Sequence, residues 1–146
     1  MIFTINEQMV RAGAECDTQH CPGALSMEEM GVWAPTVHYS RVSGGIEGIY
    51  CQAETPEALK AFMNRFDNEI ERDELLSKPE GSIEPVPWEV PDGEFLHLEQ
   101  CVRGCFVYFT VSLEEIRAAR LGDGELTCTH CRAAVPVLPW DEKEIA

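Results

Sequence analysis

Two cysteine pairs decide the fold of the C-terminal part: Cys101-Val102-Arg103-Gly104-Cys105 and Cys128-Thr129-His130-Cys131. The two-residue spacing of the second pair lets both thiolates of a tight turn reach one tetrahedral metal ion, and the first pair supplies two more thiolates. The pairs stand 22 residues apart, a separation that suits two knuckles of one site. We also expect Gly104 to provide unusual backbone angles in its loop.

The four thiols predict a closed metal site, in which zinc is favoured and an iron–sulfur cluster is the less favoured cofactor. The alternative is that all four are ordinary buried thiols of a small core. In its paired-knuckle pattern alone, this part resembles zinc-ribbon or treble-clef modules over roughly 40 residues. The resemblance implies a zinc-ribbon/treble-clef-like fold for residues 94–146, and it names no family.

Charge and cysteine content narrow the class of protein. The 146 residues include 26 Asp and Glu against 11 Lys and Arg, a net charge of −15, which opposes attraction to phosphate backbones or anionic lipid. We find no signal-peptide pattern and no run of about 20 apolar residues, so we expect a soluble, cytoplasmic protein without membrane contact. In a reducing cytoplasm, seven cysteines indicate metal ligands or catalytic thiols more than disulfides.

A second cysteine group lies in the N-terminal part, at Cys16, Cys21 and Cys51. Three thiols need a fourth ligand, which His20 or His38 can supply, so a second metal site is predicted and the chain would hold about two zinc ions. Two alternatives stay open here. Either the three cysteines are scattered core residues, or one knuckle from each half shares a single metal ion.

Residues 77–93 are rich in helix-breaking residues, with four prolines and two glycines. A helix or a central strand does not tolerate this composition. We therefore expect an acidic, Pro-rich linker between an N-terminal module, residues 1–76, and a C-terminal module, residues 94–146. Modules of this size have marginal hydrophobic cores, so a bound metal would stabilise each of them.

The N-terminal module is predicted to be an α+β unit. Residues 36–42 and 46–51 are rich in β-forming side chains and flank Ser43-Gly44-Gly45, which predicts a hairpin with a tight turn. Thr55-Pro56 predicts the start of a long helix over residues 56–76. Its apolar side chains recur at helical spacing and are expected to pack on the hairpin: Leu59, Phe62, Met63, Phe66 and Ile70. A short helical turn is predicted to start at Ser26 with a capping box.

The C-terminal module is predicted to contain strands over residues 95–98 and 105–111, because aromatic and β-branched residues dominate the second run. Ser112 opens a capping box, so a short helix should follow it and end near Gly122. Residues 126–138 should form the second knuckle between short strands. The whole chain is thus predicted to be a small two-part α+β protein.

One enzyme pattern is present in part. His97-Leu98-Glu99, followed about 30 residues later by Cys128 and Cys131, resembles the His-x-Glu and Pro-Cys-x-x-Cys pattern of zinc-dependent nucleobase deaminases. The resemblance implies the histidine as a metal ligand and the glutamate as general acid/base. Thr127 stands where that pattern has proline, and a site with four thiolates has no open position for a water. Hydrolase or deaminase chemistry is therefore the alternative, and an enzyme is less expected than a binding protein.

The acidic residues are clustered in one segment. Residues 67–99, from Asp67 to Glu99, contain eleven acidic and two basic residues. Such a segment is either a solvated surface or a recognition surface for a basic protein, including a nucleic-acid-binding one. Trp88 within it is either an aromatic anchor for that partner or a cover for a small core. The leading hypothesis is a small acidic zinc-binding adaptor or regulatory protein.

A further alternative is a nucleic-acid-binding zinc ribbon, which the net charge opposes. Its candidate phosphate contacts are the arginines of the C-terminal part: Arg103, Arg117, Arg120 and Arg132.

Overall fold

Helices and strands are distributed along residues 1–137, which are the residues that the structure, a computed structural model, describes. The helices are α1 (Glu7–Ala12), α2 (Pro22–Glu29), α3 (Glu57–Phe66), α4 (Glu69–Leu76) and α5 (Leu113–Leu121). The strands are β1 (Ile2–Ile5), β2 (Trp33–Val37), β3 (Arg41–Ile46), β4 (Ile49–Glu54), β5 (Val86–Glu89), β6 (Leu96–Gln100), β7 (Tyr108–Ser112), β8 (Glu125–Thr127) and β9 (Ala134–Pro136). The predicted α+β class is confirmed; residues 138–146 of the predicted C-terminal module lie outside the described range.

The main sheet of the fold is five-stranded and antiparallel, in the order β2-β3-β4-β6-β7. Two smaller antiparallel sheets pair β1 with β5 and β8 with β9. The junction between β4 and β6 joins a strand from each predicted module, with Gln52 opposite Leu96. The two predicted modules therefore share one sheet.

The predicted linker, residues 77–93, needs a correction because it contains β5. Trp88 of β5 pairs with Phe3 of β1, and their rings stack with centroids 4.4 Å apart. The Trp88 indole N–H donates to the Ser26 hydroxyl at 3.0 Å, and the side chain is only 2% exposed. A strand with a single partner tolerates proline, as at Pro87. Trp88 is thus a core residue and not an exposed anchor.

The hairpin turn lies elsewhere than predicted. Ser43-Gly44-Gly45 sits inside β3, and the turn to β4 is made by Glu47 and Gly48, whose φ angles are 52° and 81°. A two-residue hairpin turn of the favoured kind needs positive φ at both central positions, and glycine supplies only one of them here. Gly44 is instead required for close packing, because a Cβ there would lie 2.4 Å from Val32 Cγ1.

The predicted long helix is two helices, since α3 ends at Phe66 and α4 starts again at Glu69. Asn68 caps α4, with its side chain accepting a hydrogen bond from the Glu71 N–H at 3.1 Å. A side chain that satisfies these free N–H groups favours a new helix start over continuation. Thr55 does not cap α3, because its hydroxyl donates to the His38 carbonyl.

Most of the predicted apolar face of this helix is buried. Leu59, Phe62 and Phe66 belong to the larger cluster of buried side chains, with Met63 packed partly against it. The prediction is wrong for Ile70, because this residue lies on α4 and is 73% exposed. The break before α4 rotates that residue out of the stripe that a continuous helix would have formed.

The remaining predicted elements have mixed outcomes. Ser26 lies inside α2, which begins at Pro22 after Cys21, so the predicted capping box is wrong. Ser112 does cap α5, accepting from the Glu115 N–H at 3.1 Å, and Gly122 ends that helix. β8 and β9 flank the second cysteine pair as predicted, while β7 begins at Tyr108, later than predicted.

Two clusters of buried side chains hold the helices and sheets together. The larger lies between the inner face of β2, β3 and β4, helices α2 and α3, and the β1–β5 pair, and it includes Phe95 and Leu113 from beyond the predicted linker. The smaller lies between β7, α5 and the β8–β9 hairpin. No helix within residues 1–137 has both the length and the apolar character needed to cross a bilayer.

Candidate metal centre

The sulfur atoms of Cys101, Cys105, Cys128 and Cys131 lie within 4.8 Å of one another and could hold a metal ion. The shortest contacts join the two loops: Cys101 to Cys131 at 3.6 Å and Cys105 to Cys128 at 3.7 Å. In a tetrahedron with metal–sulfur bonds of about 2.3 Å, the sulfur atoms are about 3.8 Å apart. The group therefore has the size of a single-ion site.

Each cysteine pair lies in a loop between two paired strands. Cys101 follows β6 and Cys105 precedes β7, whereas Cys128 follows β8 and Cys131 precedes β9. Cys101 and Cys128 are fully buried in the smaller cluster, while their partners are exposed. The strand pairs thus bring two loops together over one small core.

The two loops share a backbone pattern although they differ in length. The Cys101 N–H donates to the Val107 carbonyl at 3.1 Å, and the Cys128 N–H donates to the Ala133 carbonyl at 3.0 Å. In each loop the residue after the second cysteine has a left-handed conformation, with φ of 59° at Phe106 and 63° at Arg132. Non-glycine residues rarely adopt this conformation, so each loop holds a strained residue beside a candidate ligand.

Gly104 is required for space and not for its backbone angles, contrary to expectation. A Cβ at this position would lie 2.6 Å from the Cys131 sulfur and 3.1 Å from the Cys101 sulfur. The left-handed position in this loop falls on Phe106 instead. Glycine therefore allows the first loop to approach the second closely enough for four sulfurs to meet.

Backbone N–H groups favour the charged form of two of these thiols. The amide of Ala133, followed by that of Cys105, lowers the pKa of Cys131 to about 6, and the amide of Cys131 lowers the pKa of Cys128. At Cys105 the Val107 amide lowers the pKa, but desolvation and hydrogen bonds with the other three thiols outweigh it and raise the pKa to about 11. Since the thiolate is the form that binds metal, the amides favour ligation at the second loop.

The N-terminal cysteines are not brought together. Among residues 1–137, the four C-terminal cysteines are the only such group of potential ligands, so the structure does not form the predicted site of Cys16, Cys21 and Cys51 with His20 or His38. Cys51 is fully buried on β4, and burial raises its pKa to about 12. This thiol lies in the core, as the alternative of scattered cysteines predicts.

Cys16, Cys21 and His38 border one cavity of about 230 Å³ that has Phe62 and Phe66 in its wall. His20 points elsewhere, since its ring is 69% exposed and pairs with Asp17 at 3.0 Å. Cys21 precedes α2, where burial raises its pKa. These residues share a region of the surface without forming a ligand set.

His97 and Glu99 of the deaminase-like pattern contact each other and not the cysteines. His97 Nε2 lies 3.1 Å from a Glu99 oxygen, and His97 Nδ1 lies 2.7 Å from the Tyr50 carbonyl oxygen. Both ring nitrogens thus have hydrogen-bond partners. Within residues 1–137, the group of candidate ligands consists of the four cysteines and does not include His97.

Two of the four candidate nucleic-acid contacts are also engaged. Arg117 pairs with Glu47 at 2.7 Å and with Asp92, while Arg120 donates to the Glu47 carbonyl at 3.1 Å. Arg103 and Arg132 lie exposed in the two cysteine loops.

The acidic segment, residues 67–99, is only partly free to meet a partner. Asp92 is paired with Arg117, and Glu99 contacts His97. The carboxylates of α4 are exposed: Glu69, Glu71, Asp73 and Glu74.

Sequence reasoning missed the strained residues of the site, Phe106 and Arg132. Their only signal was position, since each directly follows the second cysteine of its pair.

Comparison with known proteins adds no identity: no protein-family model, no curated protein and no solved structure matches this chain.

Proposed function

We propose that this chain is a small acidic adaptor that binds a basic protein, with a four-cysteine zinc site that stabilises the fold and takes no part in catalysis. The observation that carries the proposal is the set of four sulfurs within 4.8 Å of one another. Four thiolates complete the tetrahedral coordination of one ion and leave no position for an activated water, as in structural zinc sites.

Zinc is favoured over an iron–sulfur cluster by the spacing of the ligands. Contacts of 3.6 and 3.7 Å between sulfurs suit the edges of a tetrahedron around one ion. A cluster of several irons would hold the cysteine sulfurs further apart. The arrangement therefore supports one zinc ion per chain in place of the two that the sequence suggested.

Binding is favoured over catalysis by the surroundings of His97 and Glu99. A deaminase needs a histidine ligand and a free carboxylate beside a metal-bound water. His97 is instead held by the Tyr50 carbonyl oxygen and Glu99, away from the four-cysteine group.

A basic partner is supported by the charge that remains exposed. The chain has a net charge of −15, and Glu69, Glu71, Asp73 and Glu74 of α4 project from the surface. A four-thiolate zinc site adds a formal charge of about −2. Such a surface raises the association rate of a positively charged partner and repels nucleic acid.

Metal analysis of the purified protein tests the first half of the proposal. We expect about one zinc ion per chain, released only when the protein is denatured or treated with a strong chelator. A protein that holds iron with labile sulfide, or a zinc ion that retains an exchangeable water, would contradict it.

Affinity capture tests the second half. The wild-type chain and a variant in which Glu69, Glu71 and Glu74 are changed to Gln and Asp73 to Asn serve as paired baits at low and high salt. We expect basic proteins to be enriched on the wild type, and to be reduced on the variant and at high salt. Enrichment that ignores both changes would contradict a role for the acidic surface.

A further inference from the structure

The outer face of the five-stranded sheet carries large apolar side chains that nothing in residues 1–137 covers. Trp33, Tyr50 and Leu98 are 67%, 59% and 55% exposed. Gly45 lies opposite both Trp33 and Tyr50, and the register that pairs Gln52 with Leu96 places Tyr50 beside Leu98. We call Trp33, Tyr50, Leu96, Leu98 and Tyr108 the aromatic face.

A bulge in β2 places Trp33 on this face. Thr36 pairs with Ser43 and Val37 with Val42, and continuing that register would put Trp33 opposite Ile46, on the buried side of the sheet. The register instead shifts by one residue, which turns the indole to the outer side. The shift requires a left-handed Ala34, with φ of 46°. The backbone is thus strained at the point where it exposes a tryptophan, as is common at binding surfaces.

Gly45 leaves space for the Trp33 indole to approach the backbone of β3. A Cβ at Gly45 would lie 3.4 Å from both Cβ and Cε3 of Trp33, so the indole lies against the backbone of β3. The backbone of β3 therefore supports one side of the ring before any partner arrives. A side chain that is already held on one side loses less conformational entropy on binding than a free one.

An acidic groove adjoins the aromatic face at Leu96. This cavity of about 520 Å³ is lined by the four carboxylates Glu54, Glu57, Glu89 and Glu94. Among the described residues that line it, Lys60 is the one cation, and its ammonium lies 3.6 Å from Glu57. The groove thus has an excess of negative charge that fits basic side chains.

We propose that the aromatic face binds an extended basic polypeptide, whose lysine or arginine side chains enter the acidic groove while others lie on Trp33 and Tyr50. Guanidinium groups stack well on tryptophan and tyrosine rings, so one arginine-rich segment satisfies both features. A second copy of this chain does not fit, because each copy would bring a net charge of −15 and its own acidic groove. This inference rests on the proposed function and names its binding surface.

The test uses the metal-bound 146-residue chain and a fluorescent peptide of about twelve alternating arginine and leucine residues, long enough to cross the sheet. The doubly substituted Tyr50→Ser, Leu98→Ser chain should bind this peptide at least about tenfold more weakly, the scale of a lost anchor. The matched control is Ile70→Ser with Leu121→Ser, which alters two side chains that are 73% and 91% exposed on other elements. All variants are exposed-site changes, and each must retain the wild-type metal content and melting temperature.

A second pair of variants tests the groove, and each variant of the pair removes three negative charges. Changing Glu54, Glu89 and Glu94 to Gln should raise the dissociation rate about tenfold, because contacting charges are lost. Changing Glu71 and Glu74 to Gln and Asp73 to Asn on α4 removes the same charge and should only slow association. Equal effects of both sets, with no effect at Tyr50 and Leu98, would overturn the assigned surface and leave the proposed function standing.

Two other outcomes are decisive. If the peptide does not bind at low salt while a glutamate–leucine control peptide behaves identically, both this inference and the proposed function fail. If sedimentation shows a dimer that Tyr50→Ser with Leu98→Ser converts to a monomer, the aromatic face is covered by a second copy and the inference is overturned.

Discussion

The two cysteine groups of this protein have similar residue types and opposite outcomes. The C-terminal four converge within 4.8 Å, whereas Cys16, Cys21 and Cys51 remain separate among the described residues. The C-terminal thiols come from two short loops, each closed by a pair of strands. The N-terminal thiols come from a loop, a helix start and a strand interior, and only Cys16 is exposed. Close spacing within paired loops, and not cysteine content, is what predicts a ligand set.

Their acid–base chemistry differs in the same direction. Amide donors lower the pKa of Cys131 to about 6, whereas burial raises the pKa of Cys51 to about 12. The first thiol is thus favoured in the thiolate form that could bind a metal, and the second is a small apolar side chain of the core.

The largest effect is expected from Cys128→Ser. This change removes one of the four proposed ligands, and because ligation free energy contributes to folding free energy, the smaller cluster should unfold with a loss of more than about 4 kcal/mol. Metal content and thermal melting measure it. Cys16→Ser is the matched control and should leave both unchanged; a Cys128→Ser protein with full metal content would remove the assignment.

Phe62→Ala should give the next largest effect, and it tests the N-terminal part, which is held by packing and not by a metal. Phe62 is 7% exposed in the larger cluster, so its truncation should cost about 3 to 5 kcal/mol. Metal content should stay at the wild-type value, because packing and not ligation holds this part. Denaturant unfolding of wild type and variant gives the difference, and Ile70→Ala, at an exposed site, should cost almost nothing.

Gly104→Ala should destabilise the site by about 1 to 3 kcal/mol through overpacking. The added Cβ would lie 2.6 Å from the Cys131 sulfur, which ligation would prevent from moving away. Chelator competition should show metal binding about tenfold weaker, equivalent to about 1.4 kcal/mol. Gly93→Ala is the control, since its Cβ would meet only the flexible Glu114 carboxylate at 3.0 Å. Unaltered affinity in Gly104→Ala would show that the two loops do not approach as described.

The smallest effect is expected from Cys51→Ala, about 1 to 2 kcal/mol for a small buried side chain. The number of metal ions per chain should remain one. In the wild type, the Cys51 thiol should react with iodoacetamide far more slowly than exposed Cys16 near pH 8, because a pKa of about 12 leaves little thiolate. Loss of metal from Cys51→Ala would restore the second site that the sequence suggested.

Local chemical signals in the sequence predicted more of this structure than its periodicity did. The spacing of Cys128 and Cys131 identified a turn, and Ser112 marked a helix start, because both depend on atoms a few residues apart. The long helix was wrong because Asn68 offers a competing cap that a hydrophobic stripe does not reveal.

The features that sequence could not supply are long-range. The proline-rich segment pairs with the N-terminal strand because Trp88 stacks on Phe3, a contact between residues far apart in the chain. The bulge that exposes Trp33 has no local signature, since Ala34 is not a residue that favours positive φ. Such choices are made by tertiary packing and override local preference.

The central sheet has a narrow seam whose consequence concerns cooperativity of unfolding. β3 and β4 share six residue pairs and β6 and β7 share five, but β4 and β6 are joined by the single pair of Gln52 and Leu96. Amide hydrogens of β6 and β7 should therefore exchange with solvent through openings of lower free energy than those of β3 and β4, and the gap should widen when metal is removed. The chain would then behave as two cooperative folding units that share a sheet, with ion occupancy determining whether they open together or one at a time.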